Sequence, residues 1–386
     1  MSNSRVIIVL CLSILSAMLG VGIIAPLLPL YAESMGATGI WIGVIYAAFS
    51  ISRAAFMPIV GKFSDRKGRK LFISIGLFLY VVISLCYTWA DTPQKLMVVR
   101  LIHGLGGTMI IPIAMAYMGE LAPRNELGKY MGYFNTSLFL GFGLGFILGG
   151  FLTHWFGMNI AFYAMGAICL AVFFAILLLL PELHLYQKRD DNSELSLRRI
   201  IESNVGKALI TFRISNSMAR GIFSCFIPIF GGLKLGLDTA QIGMLLAVNT
   251  LLAGFLQVPF GKLADKLSKK NLVATGNLVD MLFLLLIPHM HSFSQLLILC
   301  FVLSVGRPIA IPAASAMAAM GGRKFGMGAS MGIFSMAMSV GMAIGSPLGG
   351  LICDWVNLNS VFYFAAAAEL LGTVIFLWLM KNPKNS

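Results

Sequence analysis

The chain has 386 residues, 58% hydrophobic and only 11% charged, with a mean hydropathy of +0.88; soluble domains carry about 25% charged residues, so a water-soluble globular fold is excluded. A net charge of +13 suits a nucleic-acid partner in a soluble protein, but here the cations sit in short loops between apolar runs, a membrane-orientation pattern, and no nucleic acid is expected. Six cysteines (Cys11, Cys86, Cys169, Cys225, Cys300, Cys353) lie scattered without C-x-x-C spacing, which argues against a disulfide framework and a metal site; no cofactor is expected.

A bilayer crossing needs about 20 apolar residues, and twelve such runs follow one another. The first, roughly residues 6 to 32, is too long for a secretory signal, lacks an A-x-A site and leads into more spans, so it is expected to remain in the mature protein. Glu33 stands at its outer end. The second, roughly 40 to 60, carries Arg53 and ends in the basic stretch GKFSDRKGRK, Gly61 to Lys70, read as a turn. The third runs roughly from 71 to 90 and the fourth from 96 to 121, the latter with Arg100, His103 one turn away on the same face, and Glu120 at its inner end. The fifth, roughly 130 to 153, repeats glycine at Gly141, Gly145 and Gly149, a spacing that lets helix backbones approach closely in lipid. The sixth covers roughly 160 to 181.

The longest polar segment, residues 182–205, then divides the chain into an N-terminal bundle (1–181) and a C-terminal bundle (206–386). Its LSLRRIIES stretch, Leu195 to Ser203, has an apolar and basic helical pattern suited to the inner membrane surface, beside the plainer reading of a solvated connector. Six more runs follow, roughly 208 to 232, 240 to 260, 271 to 289, 295 to 320, 328 to 352 and 360 to 380. They carry Arg213 and Arg220, then the basic loop GKLADKLSKK, then Asp280, Arg307, the set Gly341, Gly345 and Pro347, and finally Glu369.

The second half repeats the first at an offset of 200 residues. Gly61, Lys62, Asp65 and Lys70 recur as Gly261, Lys262, Asp265 and Lys270; Trp155, Asn159, Phe162 and Tyr163 recur as Trp355, Asn359, Phe362 and Tyr363. Agreement in uncharged stretches is not forced by composition. The fold class expected is therefore all-α integral membrane, 12 transmembrane helices in two six-helix parallel repeats, an architecture of secondary transporters. Of the 28 Lys and Arg, only Lys95 and Lys234 fall in the loops opposite the basic ones, which puts both termini in the cytoplasm.

The motifs carry a resemblance. GKFSDRKGRK resembles the G-x-L-a-D-r-x-G-r-k signature of the major facilitator superfamily; LGVGIIAPLLP (Leu19 to Pro29) resembles L-G-x5-P-x-x-P of its twelve-span drug:proton antiporters. RLIHGLGG (Arg100 to Gly107) is similar to R-x-x-Q-G-x-G with His103 in place of Gln, and the span-5 glycines are similar to G-x3-G-P-x-x-G-G with Phe146 in place of Pro; GMAIGSPLGG in span 11 has Pro347 one place late. The resemblance implies the major facilitator fold, alternating access, proton-coupled drug or metabolite efflux, a monomer in a bacterial inner (cytoplasmic) membrane, and no enzymatic chemistry. It also implies a cytoplasmic gate built from Gly61, Asp65, Arg66, Gly68 and Arg69, echoed by Gly261 and Asp265. In that gate Asp65 docks on the N-terminal end of span 11 and Arg69 reaches Glu120. Arg100 matches the span-4 arginine linked to proton coupling.

Ionisable side chains cost about 2.5 to 3.5 kcal/mol each at a span centre and normally face a polar cavity. Arginine keeps its proton, so the expected proton carriers are Asp280 and Glu369, with Glu33 and His103 as further candidates; a static ion pair with Arg213, Arg220 or Arg307 is the competing reading. Five buried arginines against two buried carboxylates favour an anionic or zwitterionic substrate, with Arg53, Arg213, Arg220 and Arg307 as the binding residues. The partners expected are a small-molecule substrate, protons and the lipid bilayer. Uptake or exchange of an organic anion or siderophore is the alternative direction.

Overall fold

The computed structural model describes residues 3–121, 127–181, 201–325 and 327–381. An apolar chain in lipid must satisfy its backbone hydrogen bonds within each segment, and among the described residues it does so through fourteen α-helices. These are α1 (Asn3–Ile24), α2 (Leu27–Ser34), α3 (Gly39–Lys67), α4 (Arg69–Thr88), α5 (Pro93–Leu121), α6 (Leu127–Phe156), α7 (Met158–Leu179), α8 (Asn204–Ile229), α9 (Thr239–Lys266), α10 (Lys269–Leu286), α11 (Phe293–Leu303), α12 (Gly306–Phe325), α13 (Met327–Trp355) and α14 (Leu358–Leu379).

Eleven stretches among the described residues are long and apolar enough to cross a membrane, where twelve were expected. The remaining one, α8, is a largely buried helix of 26 residues, but Lys207, Arg213 and Arg220, with several Ser and Asn, dilute its apolar character. Two expected spans are discontinuous. The first breaks at Ala25–Pro26 between α1 and α2, and the tenth breaks at Ser304–Val305 between α11 and α12, just before Gly306, Arg307 and Pro308. Proline lacks an N–H, which costs nothing in a helix's first turn, so Pro308 is compatible with a restart at Gly306. The basic stretch after Gly61 is not a loose turn: α3 continues through it to Lys67, and Gly68, at φ +97°, makes the corner into α4.

The chain forms two compact units. Unit 1 comprises Met1–Ala37, Ala48–Gln187 and Gly231–Leu251; unit 2 comprises Thr38–Ala47, Lys188–Phe230 and Leu252–Ser386. Within unit 1, α1 packs on α6 and α7, and α4 packs on α5 and α7; within unit 2, α8 packs on α13 and α14, and α10 packs on α12 and α14. The sequence repeat is thus repeated in the pairings.

Glycine sets the closest of these contacts. A Cβ added at Gly141, Gly145 or Gly149 would strike the carbonyl oxygens of Leu15, Leu19 or Ile23, so steps of four along α6 meet steps of four along α1. In unit 2, Gly341 and Gly345 of α13 lie against the carbonyls of Ile214 and Met218 on α8 in the same manner. Apolar side chains fill the rest, including Phe212, Val273, Ala310, Ala314, Phe334 and Phe376 in unit 2.

Candidate functional site

Two ionisable residues of unit 2, Asp280 and Arg307, are brought together by another glycine crossing. A Cβ on Gly276 of α10 would collide with the carbonyl of Gly306 and with Ala310, and one on Gly306 would collide with the carbonyl of Gly276 and the backbone of Asp280. With both side chains absent, α10 and α12 touch at the break in the tenth span, one turn from Asp280 on one side and one residue from Arg307 on the other. Arg307 Nε donates to Asp280 Oδ2 at 2.9 Å, and the two side chains are 11% and 2% exposed.

Glu369 of α14 lies next to this pair, within hydrogen-bonding reach of the Asp280 carboxyl group, and is fully buried. Its Oε1 accepts from Asn216 Nδ2 at 3.1 Å, while Oε2 has no hydrogen-bond partner among the described residues. Asn216 also donates to Asn277 Oδ1, and Asn277 Nδ2 donates to Thr373 Oγ1 at 2.7 Å and to the Glu369 carbonyl. Arg220 lies in the electrostatic neighbourhood of Arg307, Asp280 and Tyr46. Arg213 stands off on α8: its Nη2 donates to Met338 Sδ, and its guanidinium lies over the Phe334 ring at 4.6 Å.

Chemically the cluster is two carboxyl groups within mutual reach beside guanidiniums. Like charges that close cannot both ionise cheaply in a buried site, and an adjacent guanidinium relieves only part of the repulsion. Such a pair can hold one proton and exchange it when the local charge changes.

Unit 1 collects cationic and aromatic groups. Arg100 is 4% exposed, lies over the Phe49 ring at 4.8 Å and reaches Tyr87. His103 is fully buried, with Nδ1 at 2.9 Å from the Tyr87 hydroxyl and its ring edge-on to Phe49 and Tyr80; its Nε2 has no hydrogen-bond partner among the described residues. Arg53 is half-buried near Tyr80, and its Nε likewise has none. Glu33 is exposed at the end of α2. The expected binding and coupling residues are therefore in two groups: Arg213, Arg220, Asp280, Arg307 and Glu369 belong to unit 2, and Arg53, Arg100 and His103 to unit 1.

Of the expected gate, the Gly68 N–H donates to the Ser64 carbonyl at 3.1 Å, and Arg69 opens α4. Among the described residues, a Cβ at Gly61 or Gly261 would meet nothing within 4 Å. The side chains of Asp65, Arg66, Glu120 and Asp265 lie outside what the structure describes. Pro347 stands inside α13, its Cα close to where a Cβ on Gly43 would lie.

Residues 10–215 and, again, 209–386 match the Major Facilitator Superfamily. The chain belongs to that superfamily. Among its relatives, an MFS-type transporter of Methanocaldococcus jannaschii, MJ1560, is 28% identical over 376 residues, covering 96% of each chain. Multidrug resistance protein 2 of Bacillus subtilis strain 168 is 28% identical over 399 aligned positions, covering 99% of this chain and 97% of the relative. In fold the chain is similar to a bacterial homolog of the human lysosomal transporter Spinster, with a TM-score of 0.78 at 14% identity over 98% of this chain and 95% of the other. As a superfamily member the protein is an integral membrane transporter and not an enzyme.

Sequence reasoning singled out charge and so passed over Asn216, Asn277 and Thr373. The repeat itself holds the missing signal. At the offset of 200, Asp280 falls on Tyr80, Glu369 on Cys169, Asn277 on Leu77 and Asn216 on Ser16. Each of these cluster residues thus replaces an apolar or less polar counterpart, or a tyrosine, with an amide or a carboxylate.

Proposed function

We propose that this transporter is a proton-coupled exporter of small organic molecules that bear negative charge or are zwitterionic, working by alternating access in a bacterial inner membrane with both termini in the cytoplasm. The observation that carries this reading is the buried group Arg307, Asp280 and Glu369 beside a broken membrane span, since discontinuous helices in secondary transporters are associated with the substrate and ion sites. Asp280 is held by Arg307. Glu369 has one oxygen held by Asn216 and lies within hydrogen-bonding reach of the Asp280 carboxyl group, so Glu369 is the proton carrier and Asp280 its neighbouring carboxyl group.

Charge balance supports the substrate class. With one proton on the carboxyl pair, Arg220 and Arg307 share a single carboxylate, and an anion supplies the counter-charge. The names of multidrug resistance relatives support export as the direction. In this reading α8 is the seventh of twelve spans, residues 182–205 link two six-helix bundles, the transporter acts as a monomer, and Asp65 with Arg69 and Glu120 forms the cytoplasmic gate.

A thermal-shift screen of the purified transporter against matched anionic, neutral and cationic compounds tests the substrate class. Anions are expected to stabilise best. Arg220→Gln is expected to weaken their binding about ten- to a hundredfold, the scale of one charged hydrogen bond. Selective stabilisation by cations, unaltered in Arg220→Gln, would overturn the anionic reading.

A further inference from the structure

The starts of α3 and α9, counterparts in the repeat, are capped in different ways. Before α9, Asp238 Oδ1 accepts from Gln241 N at 2.8 Å and Gln241 Oε1 accepts from Asp238 N at 3.1 Å, a reciprocal box that travels with its own helix. The matching positions before α3 are Thr38 and Trp41, and the box cannot form there. Two of the first N–H groups of α3 are instead satisfied from a distance of more than three hundred residues: Gly39 N donates to Asp354 Oδ1 at 2.6 Å and Ile40 N to Asp354 Oδ2 at 2.9 Å.

The contact lies within unit 2 and is built around the carboxylate. A Cβ at Gly39 would strike the Gly350 carbonyl and Asp354, one at Gly350 would strike the Gly39 carbonyl, and one at Gly43 would strike the Ser346 carbonyl, so the start of α3 and the end of α13 meet backbone to backbone. Asp354 has His154 as its counterpart in the first repeat, so the carboxylate is peculiar to this side.

We propose that Asp354 is a conformational latch: its carboxylate caps the first turn of α3 in the state seen here, and transport requires α13 to withdraw it, leaving α3 without its cap while α9 keeps its own. The helix end binds the carboxylate through two orphan N–H groups and the positive end of the helix dipole. Separation exposes those donors at the moment of opening, which biases the transporter toward the latched state. The inference rests on the transport reading for its place in a cycle, but the latch itself is measurable without any substrate.

The test uses the full-length transporter with its six native cysteines replaced by serine or alanine and spin labels at Thr38→Cys and Val356→Cys, whose native side chains are exposed. Pulsed electron resonance reports the short-distance latched population and the long-distance open one. Asp354→Ala is expected to raise the open-to-latched ratio about two- to thirtyfold, the range measured for loss of a helix cap. Asp354→Asn, which keeps the shape and one acceptor oxygen, should shift it in the same direction by less, and serves if the alanine variant does not fold. An unchanged distance distribution in a folded variant overturns the latch. Loss of transport with an unchanged distribution would count against the latch and leave the proposed function untouched.

Discussion

Replacing Asp280 with Asn removes the carboxylate that receives Arg307 Nε at 2.9 Å in a site where the two side chains are 2% and 11% exposed. Water screens such a pair little, and breaking a buried ion pair by removing one partner costs about 3 to 5 kcal/mol because a desolvated charge is left behind. Arg307→Gln is expected to destabilise on the same scale, since Asp280 then stands beside Glu369 with one guanidinium fewer. The double variant Asp280→Asn, Arg307→Gln keeps two neutral amide side chains able to hydrogen-bond, so it should lose far less than the sum. The expected coupling is at or above about 2 kcal/mol, in the upper part of the range seen for directly interacting residues. Unfolding of the purified transporter in detergent, followed by tryptophan fluorescence against denaturant for wild type, both single variants and the double, gives the cycle. Additive losses would show that the two residues do not act as a pair and would remove the basis for assigning Asp280 a supporting role.

Gly145→Val and Gly345→Val should each impair folded yield, because a side chain at either position meets backbone carbonyls of Leu19 or Met218 rather than flexible atoms; overpacking costs about 1 to 3 kcal/mol, whereas Gly61→Ala, with nothing within 4 Å among the described residues, should express like wild type, as gel-filtration yield would show. Asp65→Asn is expected to slow transport strongly at normal expression, with Glu120→Gln alike and the double variant less than additive; full activity in Asp65→Asn vesicles would remove the cytoplasmic gate. Asp91, which accepts from Lys95 at 2.9 Å, is held below the usual carboxylate range first by that hydrogen bond. The sign is stability present above the unfolded carboxylate value and lost as pH falls through the lower folded one. Because the pair is solvent-exposed its effect should be small, and a large change in the acid limb of unfolding in Lys95→Gln would contradict this.

The architecture was legible because two strong signals are one-dimensional: apolar run length and the offset of 200 residues. The glycine spacing in spans 5 and 11 likewise foretold close helix approach, since only the backbone pitch matters. The breaks at Ala25–Pro26 and Ser304–Val305 were harder to see. Both sit inside runs that are apolar overall, and Gly306, Arg307 and Pro308, the residues a sequence reader would suspect, are themselves helical at the start of α12. The reach of Thr38–Ala47 into unit 2 was invisible because it is made by backbone meeting backbone at Gly39, Gly43 and Gly350. The charged members of the unit 2 cluster were found by their cost in lipid. Asn216, Asn277 and Thr373 were not, because a neutral amide or hydroxyl in a span reveals its partner only in three dimensions.

The central claim is proton-driven export with Glu369 as the carrier. Everted membrane vesicles energised to an acidic interior, with a pH-sensitive dye inside and a transported anionic compound added outside, measure it directly. Wild-type vesicles should release protons on addition of substrate and accumulate the compound, whereas Glu369→Gln vesicles should do neither yet still exchange labelled for unlabelled compound. Substrate-dependent proton release and full accumulation in Glu369→Gln would contradict the account.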